Sequence, residues 1–418
     1  TTTTQTYGNP TIPAGASATI VLTPNSSTAT HLTLGDTWTL GSGASLLIDL
    51  SAGNAALFSN PPLTGWLLPG VSVKDSSGLT GPATVVAGQV VRYVPPILTS
   101  SSNDPNVEFS SLNSSYPGGT LTWTNGGLLS TRAVHRLILD TTVTGGTIDM
   151  GAASNVLTLS SGEIQFLGSN NLSLTGGQLG AANSAVSLST AGTNILTLSS
   201  PISSGSGSLT ITGTANVILN SANTFTGGLT LNGGNLKQGI ASALGSANGT
   251  LTLHAGSLDL NGLATGFGTL TGSGGTLTSA TPATLTLGNN NATGGNFAGT
   301  ISGEIALSKT GSGTQTLASA NTYARSTTVT EGTLRCSADQ ALGQGNLLVR
   351  GGTVDLQSFS ANVAYVQLTS GTITGTSGVL TAPSYELVTG TLSARLGGGT
   401  ATLARISSPY TNTVTLSG

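Results

Sequence analysis

The stretch SANTYARSTTVTEGTL, residues 319–334, repeats the pattern of a stretch 98 positions earlier, SANTFTGGLTLNGGNL at 221–236. Each copy alternates small polar residues with Leu, Val or an aromatic residue and ends on glycine, a polar residue and Leu. That ending recurs along the chain, as Gly146-Thr147-Ile148, Gly177-Gln178-Leu179, Gly256-Ser257-Leu258, Gly275-Thr276-Leu277, Gly352-Thr353-Val354, Gly371-Thr372-Ile373 and Gly390-Thr391-Leu392. The last four apolar positions, 334, 354, 373 and 392, are spaced by 20, 19 and 19 residues. Segments such as Leu251-Thr252-Leu253 and Leu285-Thr286-Leu287 alternate with the period of a strand. A strand pattern that returns every ~20 residues fits one coil of a β-solenoid per period, because a single coil cannot bury its own apolar face and must stack on its neighbours. Antiparallel hairpins have no reason to return to the same strand at that interval.

Composition supports the same class. Only 6% of the 418 residues are charged, where a soluble domain has roughly a quarter, so ion pairs do not organise this chain. Its 37% apolar content and positive mean hydropathy separate it from disordered polar sequences. No helical spacing survives the Gly, Pro and β-branched residues. The eleven Lys and Arg residues are scattered and the net charge is −3, so no basic stripe exists for nucleic acid. One cysteine, Cys336, excludes an internal disulfide framework and a cysteine-based zinc site. No run of ~18 apolar residues predicts a membrane-spanning helix. A chain starting at Thr1 without an initiator Met reads as processed or excerpted.

Residues 1–95 are less regular. They contain Trp38, Trp66 and the pair Pro61-Pro62, and are read as an N-terminal β region that includes the first solenoid coils and an assembly segment. Residues 96–418 are expected to form the regular stack.

The segment around the opening quotation extends to Lys309-Thr310-Gly311-Ser312-Gly313-Thr314 before it and Thr327-Thr328-Val329-Thr330-Glu331-Gly332-Thr333-Leu334 within it. This resembles the autotransporter-associated β-strand repeat, also called the passenger-associated transport repeat. The resemblance covers 303–356, and more loosely 204–262, where Thr214-Ala215-Asn216-Val217 replaces the Lys-Gly segment. It implies a right-handed parallel β-helix in large surface-exposed or secreted bacterial proteins, and implies no catalytic residues and no cofactor.

Residues able to do chemistry are sparse. A pair of carboxylates ~5 to 10 Å apart is needed for glycoside hydrolysis, yet Asp259 and Asp355, in matching Leu-Asp-Leu and Val-Asp-Leu contexts, stand several coils apart and read as a repeated structural position. His135-Arg136 near Asp140 is the only mixed cluster and reads as a solvated edge with an ion pair. His31 and His254 are isolated. Trp38, Trp66 and Trp123 lack the row at coil period that a sugar-stacking face would have.

The resulting expectation is a non-enzymatic, extracellular bacterial structural β-solenoid, a rod or filament subunit that associates end to end. The segments expected to join copies are Thr1, Thr2, Thr3, Thr4, Gln5, Thr6 and Tyr7 at one end and Asn412, Thr413, Val414, Thr415 and Leu416 at the other, uncharged β-prone runs without a capping element. The alternatives are an adhesin or carbohydrate-binding surface protein, with surface glycans as partner, and a polysaccharide lyase or hydrolase.

Overall fold

The computed structural model describes residues 2–24, 29–61, 68, 70–78, 80–86, 88–92, 109–110, 119–122, 131–141, 146–181, 185–403 and 414–416. All regular structure among them is β, and no helix there is long and apolar enough to cross a membrane. The chain divides into two compact units, Thr1–Pro96 and Ile97–Gly418.

The first unit already coils. Strands β1 (Thr3–Thr6), β2 (Thr11–Ile12) and β3 (Ser17–Val21) pair in parallel with β4 (Thr30–Thr33), β5 (Thr39–Leu40) and β6 (Ser45–Asp49). β7 (Ala55–Phe58) and β8 (Val71–Lys74) carry the outer two columns one coil further. Leu32, Leu46, Ile48, Leu57 and Val73 point inward and form its core, with the half-buried Trp38 packed against it. Parallel order then stops. β9 (Thr80–Val86) runs antiparallel to β8, and β10 (Gln89–Arg92) antiparallel to both β9 and β7. The hairpin therefore ties the two sheets together and occupies the edges on which another coil would have been laid. The lesser regularity expected of residues 1–95 takes the form of this hairpin, whose strands stand too close in sequence for the crossover that a parallel pair needs.

The second unit is a β-solenoid of stacked parallel coils. One inward column runs Leu172, Leu196, Val217, Leu236, Leu258, Leu277 and Ile301, each the backbone partner of the next. Another contains Leu334, Val354, Ile373 and Leu392, so the four positions spaced by 20, 19 and 19 residues stand in one register. Coils are longer at first: 27 residues separate the partners Leu137 and Ile164, and 20 separate Ile211 and Leu231.

Side chains explain the stack. In strands such as Ala283–Leu287 and Ile305–Lys309, buried and half-exposed positions alternate, so each coil contributes one apolar row to a continuous interior. Each enclosed Leu or Ile contributes about 1.5–3 kcal/mol. Corners are made by the glycine of the recurring signature. Gly256 and Gly332 have φ of 79° and 63°, and a Cβ on either would stand 2.2 Å from Gly234 O or 2.3 Å from Gly311 O in the preceding coil. Only a residue without a side chain meets both demands.

Candidate functional site

The most specialised chemistry of the molecule lies inside the repeat. Asn321, the third residue of the quoted stretch, is buried. Its Oδ1 accepts the Ile301 N–H at 2.7 Å, and its Nδ2 donates to Ala341 O at 2.6 Å and Ser319 O at 3.0 Å. Ile301 belongs to the coil before and Ala341 to the coil after, so one amide bridges three coils. Asn223 does the same 98 residues earlier, accepting from Ile202 N–H at 2.7 Å and donating to Ala243 O at 2.5 Å. A backbone amide displaced from strand pairing at the corner thus finds a partner that no β-ladder supplies.

The aromatic residue two positions later fills the interior. Phe225 and Tyr323 are both fully buried, and Tyr323 shares its hydroxyl with Thr327 Oγ1 at 2.7 Å. Burial pushes the Tyr323 pKa up to about 12. A glycine of the following coil covers each ring: a Cβ on Gly245 would lie 2.3 Å from Phe225, and one on Gly343 2.4 Å from Tyr323. These glycines and the alanines that receive the Asn amides form Ala243-Leu244-Gly245 and Ala341-Leu342-Gly343, again 98 apart. Sequence reading missed this second shared tripeptide, although the fixed offset would have revealed it.

Lys309 was also missed. It occupies an inward column between Leu287 and Val329 and is only 1% exposed. Its Nζ donates to the carbonyls of Thr310 at 2.5 Å, Gly311 at 2.7 Å and Glu331 at 3.2 Å. All three ammonium protons are therefore satisfied by backbone. Burial holds its pKa below the ordinary lysine value, and the Glu331 carboxylate opposes that shift. Gln315 makes a related bridge, donating from Nε2 to Leu270 O at 2.8 Å and accepting the Leu270 N–H on Oε1 at 3.0 Å. Gly295, its register partner, leaves the space through which the amide passes.

The carboxylates serve corners. Oδ1 of Asp149, Asp259 and Asp355 accepts the N–H two residues ahead, at Gly151, Asn261 and Gln357. Those three residues have φ of 80°, 53° and 54°. The intervening Met150, Leu260 and Leu356 are buried, so each Asp turns the chain while an apolar side chain enters the core. Asp355 also pairs with Arg335 at 3.0 Å. Arg136 pairs with Glu163 of the next coil at 3.9 Å, while the side chains of His135 and Asp140 lie outside the described residues. His254 Nδ1 meets Ser273 Oγ at 3.1 Å, and His31 packs edge-on against Phe58, 5.1 Å between centroids. Trp38 Nε1 donates to Gly35 O and Ser59 Oγ, both at 2.9 Å. Trp66 and Trp123 lie outside the described residues. Cys336 is buried in the core, which pushes its thiol pKa up to about 12. No group of three or more His, Cys, Asp or Glu able to hold a metal occurs among the described residues.

Of the segments expected to join copies, β1 is exposed at all four positions and pairs on one side, with β4. Val414–Leu416 pairs in parallel with Gly390–Leu392. Thr1, Asn412 and Thr413 lie outside the described residues.

Comparison with known proteins agrees with this geometry. Residues 307–335, which hold Lys309, Gln315, Asn321 and Tyr323, match the passenger-associated-transport-repeat family model. Over 264 residues the chain is 32% identical to the adhesin BmaC autotransporter of Brucella suis biovar 1 (strain 1330). That similarity covers 59% of this chain and 7% of the relative's length. No solved structure matches. The chain thus carries a passenger-associated transport repeat within a β-solenoid.

Proposed function

We propose that this chain is a length of non-enzymatic, extracellular β-solenoid on a bacterial surface, acting as a stiff spacer in an adhesin-like protein. The observation that carries the reading is that two polar residues of the matched repeat, Lys309 and Asn321, bond to backbone of the same and neighbouring coils. Side chains committed inward in this way maintain the stack. The resemblance to an adhesin autotransporter supports surface exposure. Protease treatment of intact cells producing the chain tests it: cleavage of the chain while a cytoplasmic marker survives is expected, and full protection overturns the reading.

A second reading, end-to-end association, is favoured by β1. Thr3 N–H donates to Ala29 O and Tyr7 N–H to Thr33 O, so the alternate amides of Thr4 and Thr6 face the other side of the strand. A strand of another copy, with Val414–Leu416 the candidate, would add there by β-augmentation. Sedimentation velocity of the wild type against a Thr4→Pro, Thr6→Pro variant decides it. Larger species lost in the variant are expected, and a monomer in both cases overturns association.

A further inference from the structure

A cavity in the first unit lies beside its stacked strands. It measures about 400 Å³ and opens where β4 and β10 meet the turns that follow β6 and β8. That volume falls within the roughly 300–1,000 Å³ range of small-ligand sites. Its polar lining is His31, Asn54, Asp75, Gln89 and Arg92, and Val91 gives it an apolar wall.

Several of these groups are held by neighbouring contacts. Arg92 Nε donates to Asp75 Oδ2 at 2.6 Å. Asp75 Oδ1 accepts from both the N–H and the hydroxyl of Ser77, at 2.9 and 2.5 Å. Phe58 orients the His31 ring. Asn54 sits on a turn with φ of 45°, pinned by the Thr30 N–H bond to its carbonyl at 2.9 Å. Ordering costs for Asp75, Arg92 and His31 are therefore partly met before a ligand arrives.

The lining also defines the ligand class. A guanidinium paired with a carboxylate has no net charge, so the site does not select for an ion. It offers donors from the Arg92 terminal nitrogens, and both donors and acceptors from the two amides and the imidazole. A hydroxyl is donor and acceptor at once, and several hydroxyls on a compact ring match such an alternating set. We infer that this cavity binds a neutral sugar residue. The assignment deepens the surface reading above and rests on it for the source of the sugar, while binding itself does not depend on that reading.

The test is saturation-transfer NMR on the full chain with glucose, galactose, mannose and N-acetylglucosamine. Transfer to the ring protons of at least one sugar is expected, with Kd raised about tenfold or more by Arg92→Lys and by Gln89→Ala. Asn54→Gly removes an amide at a backbone angle that glycine adopts freely, so it reports on the site even where the other variants shift thermal unfolding. It is expected to weaken binding without lowering the midpoint. An array of host-type and bacterial-type oligosaccharides, probed with the same proteins, identifies the source. Absence of transfer from all four sugars, or binding undiminished in all three variants, overturns the assignment. Protease access on intact cells is read separately, so loss of sugar binding and loss of surface exposure are distinguishable.

Discussion

Tyr323 lies directly against the backbone of Gly343, so closely that a Cβ on the glycine would stand 2.4 Å from ring atoms Cδ2 and Cε2. Gly343→Ala is therefore expected to destabilise the protein by about 1–3 kcal/mol through overpacking. Combining it with Tyr323→Leu should recover part of that loss, a coupling readable in a double-mutant cycle of denaturant midpoints. The equivalent Gly245→Ala should cost more, because φ at Gly245 is 80° and alanine adds about 1–2 kcal/mol of left-handed strain to the clash with Phe225.

Removing the Asn321 amide leaves the Ile301 N–H and the Ala341 carbonyl buried without their partner. At about 1–3 kcal/mol for each of the two orphaned groups, Asn321→Ala is expected to cost about 2–6 kcal/mol. Hydrogen exchange offers a site-resolved check: protection of Ile301 N–H should fall strongly, while amides several coils away should change little.

Alkaline pH should weaken the fold in a defined order. Burial raises Cys336 from its ordinary 9.0 to about 12 and Tyr323 from 10.0 to about 12. The folded chain thus keeps protons that the unfolded chain releases, so their contribution is complete below about pH 9 and is lost as pH climbs toward 12. Lys309 acts in the opposite sense. Its folded pKa is lowered, so the unfolded chain binds the extra proton and stability gains as pH rises toward the ordinary value of 10.5. Cys336→Val should flatten the earliest part of the alkaline decline in denaturant midpoints, and Lys309→Met should steepen it.

Ser242 is exposed and has φ of 62°, an arrangement that costs a side-chain-bearing residue about 1 kcal/mol or more. Its backbone carbonyl accepts the Asn223 N–H at 3.1 Å, a bond that any residue can provide. Ser242→Gly is accordingly expected to stabilise by about 0.5–1 kcal/mol, visible as a rise in the thermal midpoint.

How much of this was legible follows from what each signal encodes. The alternation around Leu334, Val354, Ile373 and Leu392 specifies which side faces inward, and their spacing specifies which residue stands over which. Both properties are local, and register follows from them. Lys309 defeats such reading, since a lysine in a strand pattern is ordinarily solvent-facing. Only the three carbonyls gathered by the corners at Gly311 and Glu331 make its burial tolerable, and those are brought together by the coils. The Gln315 bond to Leu270 spans 45 residues, with nothing in either neighbourhood to indicate it. The hairpin of β9 and β10 was not read because Gly81-Pro82 interrupts the strand pattern of Thr80–Val86; its direction is set by the brevity of the link to β10. The matching Asp259 and Asp355 were read as a structural repeat, and the corner each one closes supplies the reason.

The Asn bridges also constrain how such a protein can change length. Asn223 and Asn321 each need a donor in the coil behind and an acceptor in the coil ahead, and Ile202 with Ala243 offers the same pair as Ile301 with Ala341. Genetic recombination between the two copies would delete or insert 98 residues and leave every such bridge complete. Growth or trimming of the stack in that increment needs no compensating mutation, whereas removal of an arbitrary 20-residue segment across either asparagine would orphan a buried amide.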